Sequence, residues 1–521
     1  MFGNFALVLA AYIYLSLVHP LKAGLRSKLV ILAVLLLSAG RLAILRRVFG
    51  GLGGVECPWL LLIVTSLFQG TSLILFLLCI PKDLLRLSSF AAGLFRRKAA
   101  GARLRRLLAS GAFAGALAAA SFLLSGYSLW QAARVPEVRE QTVYLNSWPD
   151  ALDGLRVAVI SDLHISRFFD AGWTRGVVAK VNGLRPELIL IPGDLVDGEV
   201  DVRAPETSPL ADLESPNGIY MCVGNHEYIS VLWDWLPAFR NLGIRNLYNQ
   251  HETIVIRGEE LVLAGVTDPV SERWHLPGPD LQRALAGVPP DGPPVILLDH
   301  RPGHAPANAM DGRVRLQLSG HTHGGLIPVL SSFVARANKG FLKGWYEVGS
   351  LMMYVHPGTG LWSGLPMRLF NPSEITLLTV KSSPPPGGQP EGEPRSVPGA
   401  PEAGGPPALP RSGTPPAVVQ PSGQPAGTGD EAPEASGEYG TGEGPVTPGQ
   451  DPGDGGPGTA DGGSGDAGPA TSDGDAGGAG PEDGDGDAED AGSETGDGEP
   501  EDSGPGAVEE DPGAEAPVTA E

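Results

Sequence analysis

Cysteine is nearly absent: the 521 residues hold only Cys57, Cys79 and Cys222. With no CxxC pair, a disulfide scaffold is excluded and thiol chemistry is a poor candidate for the mechanism. From Ser382 onward the chain lacks aromatic residues except Tyr439, and it lacks basic residues except Arg395 and Arg411, against 30 Asp and Glu. Such a segment cannot bury enough apolar surface to offset its chain entropy, so residues 382–521 are expected to be a disordered acidic Gly/Pro-rich tail. As a flexible coil it would span roughly 60–70 Å. It reads as a solvating spacer, with a cation-binding or cell-wall-interacting segment as the alternative. The tail's −28 against −22 for the whole chain leaves +6 for residues 1–381. The acidity of the chain therefore says little about its substrate.

Residues 1–131 are apolar with basic punctuation. Four apolar runs, roughly Phe5–Val18, Leu29–Leu45, Trp59–Ile80 and Leu107–Trp130, predict a transmembrane region of about four helices. Two of them comfortably reach the ~20 residues that span hydrocarbon. The first is short, and no Lys or Arg precedes it, unlike a cleavable signal peptide. Loop 20–28 carries Lys22, Arg26 and Lys28, and loop 81–106 carries eight basic residues against Asp83. Both loops should face the cytoplasm. An integral plasma-membrane protein with an extracytoplasmic globular part and tail is therefore expected.

Residues 132–381 look like an ordinary globular domain. Five short apolar runs, Arg156–Ile160, Glu187–Ile191, Ile219–Val223, Val295–Leu298 and Val314–Leu318, predict strands buried on both faces. Each ends in a polar turn: Asp162-Leu163-His164, Gly193-Asp194, Gly224-Asn225-His226-Glu227, Asp299-His300 and Gly320-His321-Thr322-His323-Gly324. Ligands of α/β sheets collect beyond such carboxyl ends. Asp162, His164, Asp194, Asn225, His300, His321 and His323 supply two carboxylates, an amide and four imidazoles. His226 is a spare imidazole. This is the donor set for two adjacent divalent cations sharing a carboxylate, and its N/O character suits Mn, Fe, Zn or Co. In an extended segment residues i and i+2 point the same way, which would let Asp162 and His164 grip one cation. A cation pair clamps a phosphoryl group and generates hydroxide at neutral pH.

On these motifs the chain resembles the calcineurin-like metallophosphoesterase superfamily. Over about Thr142–Val380 it is similar to the bacterial membrane-associated branch that includes the YkuE and YaeI proteins. The stretches Tyr354–Gly360 and Arg368–Ile375 also look like that branch. The resemblance implies an α/β fold, a sandwich of two mixed β-sheets flanked by helices. It also implies a ligand assignment: Asp162, His164, Asp194 and His323 on one metal, and Asp194, Asn225, His300 and His321 on the other. Asp194 would bridge, and His226 would stay uncoordinated as the catalytic residue beside the substrate.

Neighbouring residues carry weaker readings. Asp299 either orients a ligand or lies in a surface loop, and Glu227 fixes its turn by hydrogen bonding. Asp197 and His304 read as structural or solvated. His356 is either an ordinary loop residue or one that touches substrate. Trp345, Tyr346 and Trp362 read as core rather than as a substrate entrance. The expected function is hydrolysis of a phosphomonoester, phosphodiester or pyrophosphate, with a lipid-linked or envelope substrate favoured by the membrane region. No nucleic-acid partner is expected. The alternatives are a protein phosphatase, for which no recruitment groove is visible, and a non-catalytic metal-binding membrane scaffold, which the complete donor set argues against.

Overall fold

The computed structural model describes residues 2–51, 53–94, 98–382 and 395–396. The expected disorder of the acidic tail lies outside the described residues, apart from Ser382 and that last pair.

Among the described residues, three helices are long and apolar enough to cross a membrane: Leu25–Phe49, Trp59–Ala91 and Gly111–Ala133. A shorter apolar helix covers Leu7–Val18, so the first of the four expected runs falls below spanning length. An additional basic helix, Lys98–Leu108, precedes the last span.

The strands are β1 (Glu137–Tyr144), β2 (Leu155–Val159), β3 (Leu188–Pro192), β4 (Ile219–Cys222), β5 (Ile244–Asn246), β6 (Gln250–Ile256) and β7 (Glu259–Gly265). They continue with β8 (Val295–Leu298), β9 (Val314–Ser319), β10 (Gly344–Val348), β11 (Leu351–Val355), β12 (Glu374–Lys381) and β13 (Arg395–Ser396). One sheet has the order β1-β12-β2-β3-β4-β5, the other β13-β10-β11-β9-β8-β7-β6. Both are mixed: β2 through β5 and β7, β8, β9 and β11 pair in parallel, while β12 is antiparallel to β2 and β6 to β7.

Side chains alternate across each strand. Val157, Leu190, Leu263, Ile296 and Leu318 fill the layer between the sheets. Ala158, Ile160, Ile189 and Met221 face outward on the first sheet, and Val262, Val295 and Leu297 on the second. Helices cover both outer faces, which is why these strands read as continuous apolar runs. The carboxyl ends of β2, β3, β4, β8 and β9 meet at one rim. There the Gly193 Cα lies so close to the neighbouring strands that a Cβ would stand 2.7 Å from both Gly224 N and His300 Nδ1.

The long apolar helices pack directly on this domain. Residues of the helical region (Leu45, Val55, Cys57, Leu62, Leu129) share one core with Ala158, Ile160 and Ile189. The loop after β11 enters the bundle. Arg41 donates to Gly364 O (3.2 Å), Arg368 N donates to Ser128 O (3.1 Å), and Met367 lies against Gly70.

Candidate metal centre

The turn after β2 carries Asp162 and His164, held by Asp162 N donating to Gly193 O (3.0 Å) and His164 N donating to Asp194 O (3.1 Å). Neither residue is extended. Asp162 (φ 53°), His164 (47°), Asp194 (55°), His321 (70°) and His323 (49°) are all left-handed. The extended i, i+2 argument therefore fails, and kinked backbone aims the side chains instead. A left-handed non-glycine costs about 1–3 kcal/mol, and such strain concentrates at functional sites.

Three groups of donors converge: Asp162, His164 and His323; His164, Asp194 and His226; Asp194, His300 and His321. Within each group the donor atoms lie within 4.8 Å of one another. Asp194 stands between them, its Oδ2 being 3.2 Å from His300 Nε2 and 3.7 Å from His164 Nε2. His323 Nε2 is 3.8 Å from Asp162 Oδ1. Asn225 opens the short helix Asn225–Ile229 at the same rim, with Oδ1 3.5 Å from Arg301 Nη2.

The site suits cations. Nε2 of His164 and of His300 are buried without a hydrogen-bond partner, although carboxylate oxygens stand nearby. Burial, reinforced by neighbouring imidazoles, pushes His321 and His323 well below the usual histidine range, into the neutral form that binds metal. Burial opposes charging of His300, but Asp194 outweighs it and raises that imidazole to about 10. Asp194, despite its burial, is held well below the carboxylate range by His300 and His226. Protons thus offset its charge here, a task that a bound cation takes over.

The supporting shell is only partly legible in sequence. Asp197, read above as structural or solvated, is fully buried, and its Oδ1 accepts from Nδ1 of His226 (2.5 Å) and of His164 (3.2 Å). Burial disfavours a charged His226, yet Asp197 and Asp194 raise it to about 9. The Glu227 carboxylate accepts from Gly224 N (2.7 Å), Leu195 N (2.6 Å) and Asp194 N (3.1 Å), tying two of the motif turns together. Asp299 is buried and takes bonds from His304 and Asn308, whereas His300 Nδ1 donates to Pro192 O (2.8 Å). His356 is buried and accepts from Gly358 N.

Trp345 and Tyr346 are core residues, as read. Trp362 is not: it is half-buried, with its ring 6.5 Å from the His226 ring. Its Nε1 donates to Gly53 O (2.7 Å), in the loop between two long apolar helices. A Cβ on Gly53 would lie 3.0 Å from Asp197 Oδ1. Arg368, fully buried, donates to His323 O and Gly360 O (2.7 Å each).

Two mixed sheets thus gather acid, amide and imidazole donors at one rim. Residues 155–325 match the calcineurin-like phosphoesterase family. The chain is 30% identical to the metallophosphoesterase YkuE of Bacillus subtilis over 289 residues, covering 54% of this chain and 98% of that one. It is 35% identical over 271 residues to a zebrafish (Danio rerio) transmembrane protein with a metallophosphoesterase domain, covering 50% of this chain and 61% of that one. A cattle (Bos taurus) protein of the same description is likewise 35% identical, with 61% of its length covered. The chain thus spans about three fifths of these transmembrane relatives. It belongs to the calcineurin-like metallophosphoesterases.

Proposed function

We propose that the chain is a membrane-anchored dinuclear phosphoesterase acting outside the cytoplasm on a lipid-linked or envelope phosphomonoester, phosphodiester or pyrophosphate. Asp162, His164, Asp194 and His323 would hold one cation, and Asp194, Asn225, His300 and His321 the other. Bound there, the cations supply Lewis acidity toward phosphoryl oxygens and a hydroxide nucleophile at neutral pH.

The chain's own residues do the rest. Asp197 binds Nδ1 of His226 and fixes the ring, leaving Nε2 to protonate the departing oxygen or to stabilise the equatorial oxygens. Glu227 holds the Asp194 turn against the Asn225 turn, keeping the bridging carboxylate in place. Arg368 pins the backbone of His323.

The observation that carries this reading is the chain of three donor groups, two of which share Asp194 and two of which share His164, with Nε2 of His164 and of His300 buried and left without hydrogen bonds. Contact of the interhelical residue Gly53 with Asp197 and Trp362 supports a substrate drawn from the membrane surface.

The test is a panel of p-nitrophenyl phosphate, its bis ester, lipid pyrophosphates and a phosphopeptide, run with Mn, Zn, Fe, Co and Mg. Preference for lipid pyrophosphate supports the reading, and preference for the phosphopeptide replaces it with a protein phosphatase. Two bound metals without activity on any member would leave a scaffold. Protease shaving of intact cells should remove residues 140–380, and protection until lysis would reverse the orientation.

A further inference from the structure

We infer that the helix Pro328–Ala337 and the tip at Phe370 form a second membrane contact, seated in the headgroup and upper acyl layer of the bilayer that the long helices cross. The inference rests on the membrane reading of those helices and is independent of substrate.

It starts from continuity with the bundle. Ile327 and Met367 are buried in a core made otherwise of membrane-helix residues such as Leu9, Ile13, Leu73 and Cys79. Leu326, Leu330, Leu365 and Leu369 pack against the same core. Gly364, Met367 and Arg368 touch Arg41, Gly70 and Ser128. At 1.5 Å per residue these partners lie about 8–16 Å from the domain-side ends of their helices. The loop therefore sits at membrane depth, where irregular backbone is tolerated because protein surrounds it.

The outward faces of these same segments are apolar and uncovered. Val329 and Phe333, one helical turn apart, are 53% and 69% exposed, and Phe370 is 71% exposed. Phe370 also has φ 61°, a conformation that a bulky residue adopts at a cost, and its side chain is left largely exposed. Water is a poor environment for three such side chains beside helices that are themselves exposed to lipid. Helix Pro328–Ala337 has no acidic residue, and Arg336 and Lys339 stand at its far end, where anionic headgroups would receive them.

The placement bears on the site. His321 and His323 lie on the turn that leads directly into this helix, and Gly325 packs so closely that a Cβ would stand 2.7 Å from Ser331 Cα. A helix fixed at the lipid surface would thereby hold that turn at the same surface.

The test uses the full chain in phosphatidylglycerol/phosphatidylcholine vesicles, with a nitroxide on a single introduced cysteine. The three native cysteines are buried, so the introduced thiol is the one that labels. Positions are Phe333→Cys and Phe370→Cys. The references are Leu123→Cys on the last membrane helix (72% exposed) and Val255→Cys on β6 (62% exposed). Collision with oxygen and with a water-soluble nickel chelate is measured at each.

The expected result is an oxygen-to-nickel ratio at 333 and 370 that approaches the value at 123 and is several-fold above that at 255. Water-like ratios at 333 and 370 with a lipid-like 123 would overturn the inference while leaving the membrane reading intact. A water-like 123 would remove both. Immobilised labels inaccessible to either reagent, or coupled to one another, would assign the face to a protein partner or a second copy instead.

Discussion

Gly224→Ala is the sharpest test of the convergence on Asp194. A Cβ at 224 would stand 2.3 Å from Asp194 Oδ1, 2.7 Å from Asp194 N and 2.9 Å from its Cγ. Carbon contacts settle near 3.5–4.0 Å, so relief requires a shift of about 1 Å. The backbone cannot yield easily, because Glu227 bonds both the Asp194 and the Gly224 amides. The carboxylate must therefore swing, and it is the donor shared between two of the three donor groups. Overpacking of this kind costs about 1–3 kcal/mol, which lowers Tm by about 2–12 °C for a domain of this size. A misplacement of about 1 Å at a reacting centre costs about 100-fold in rate. The assay is thermal unfolding, bound metal by plasma mass spectrometry, and turnover on bis-p-nitrophenyl phosphate. Gly183→Ala, which meets nothing within 4 Å, is the control and should stabilise by about 0.4–1 kcal/mol. A Gly224→Ala protein with wild-type metal content and turnover would refute the placement of Asp194.

His226→Ala should lower turnover by about 10²–10⁴-fold while bound metal stays near wild type, and parallel loss of metal would make His226 a ligand. Asp197→Asn keeps the shape but removes the charge facing His164 and His226; turnover or metal affinity should fall about 10–100-fold, read by kinetics and by metal titration. Chelation should abolish turnover and lower Tm, and returning a cation to about 100 times its Kd should restore about 2.7 kcal/mol per site, seen as recovered Tm. An unchanged Tm and rate after exhaustive chelation would exclude a resident cation.

The strands that carry the motifs were legible because both faces are buried: Leu188–Pro192 has no exposed residue and reads as one apolar run. The edge strands were not. β1 is Glu-Val-Arg-Glu-Gln-Thr-Val-Tyr, largely polar, and pairs in parallel with β12, more than two hundred residues away. The donors could be named from residue type and order, but their aim could not. Five of them are left-handed, a conformation fixed by strand-to-strand bonds such as Asp162 N to Gly193 O. Asp197 carried one faint signal, an acid three residues beyond Asp194 in the same turn. Trp362 carried none, because its neighbour Gly53 lies far back in the chain, between two long apolar helices.

That last contact decides whether the bundle is a tether or part of the enzyme. Glu56, in the same interhelical loop, pairs with the fully buried Arg203, which also meets Glu206 (3.3 Å). Leu45, Val55, Leu62 and Leu129 lie in one core with the outer face of the first sheet. Removing residues 1–133 would therefore expose Ile160 and its neighbours, free Trp362 from Gly53, and deprive Arg203 of a carboxylate. A buried charge that loses its partner costs up to about 3–5 kcal/mol, less here because Glu206 remains and water would enter. The excised domain should give lower soluble yield, unfold at lower temperature than the full chain in detergent, and turn over soluble esters more slowly because Asp197 has lost the Gly53 wall. If its Tm and soluble-ester kinetics matched those of the full chain, the helices would serve only to hold the enzyme at the membrane.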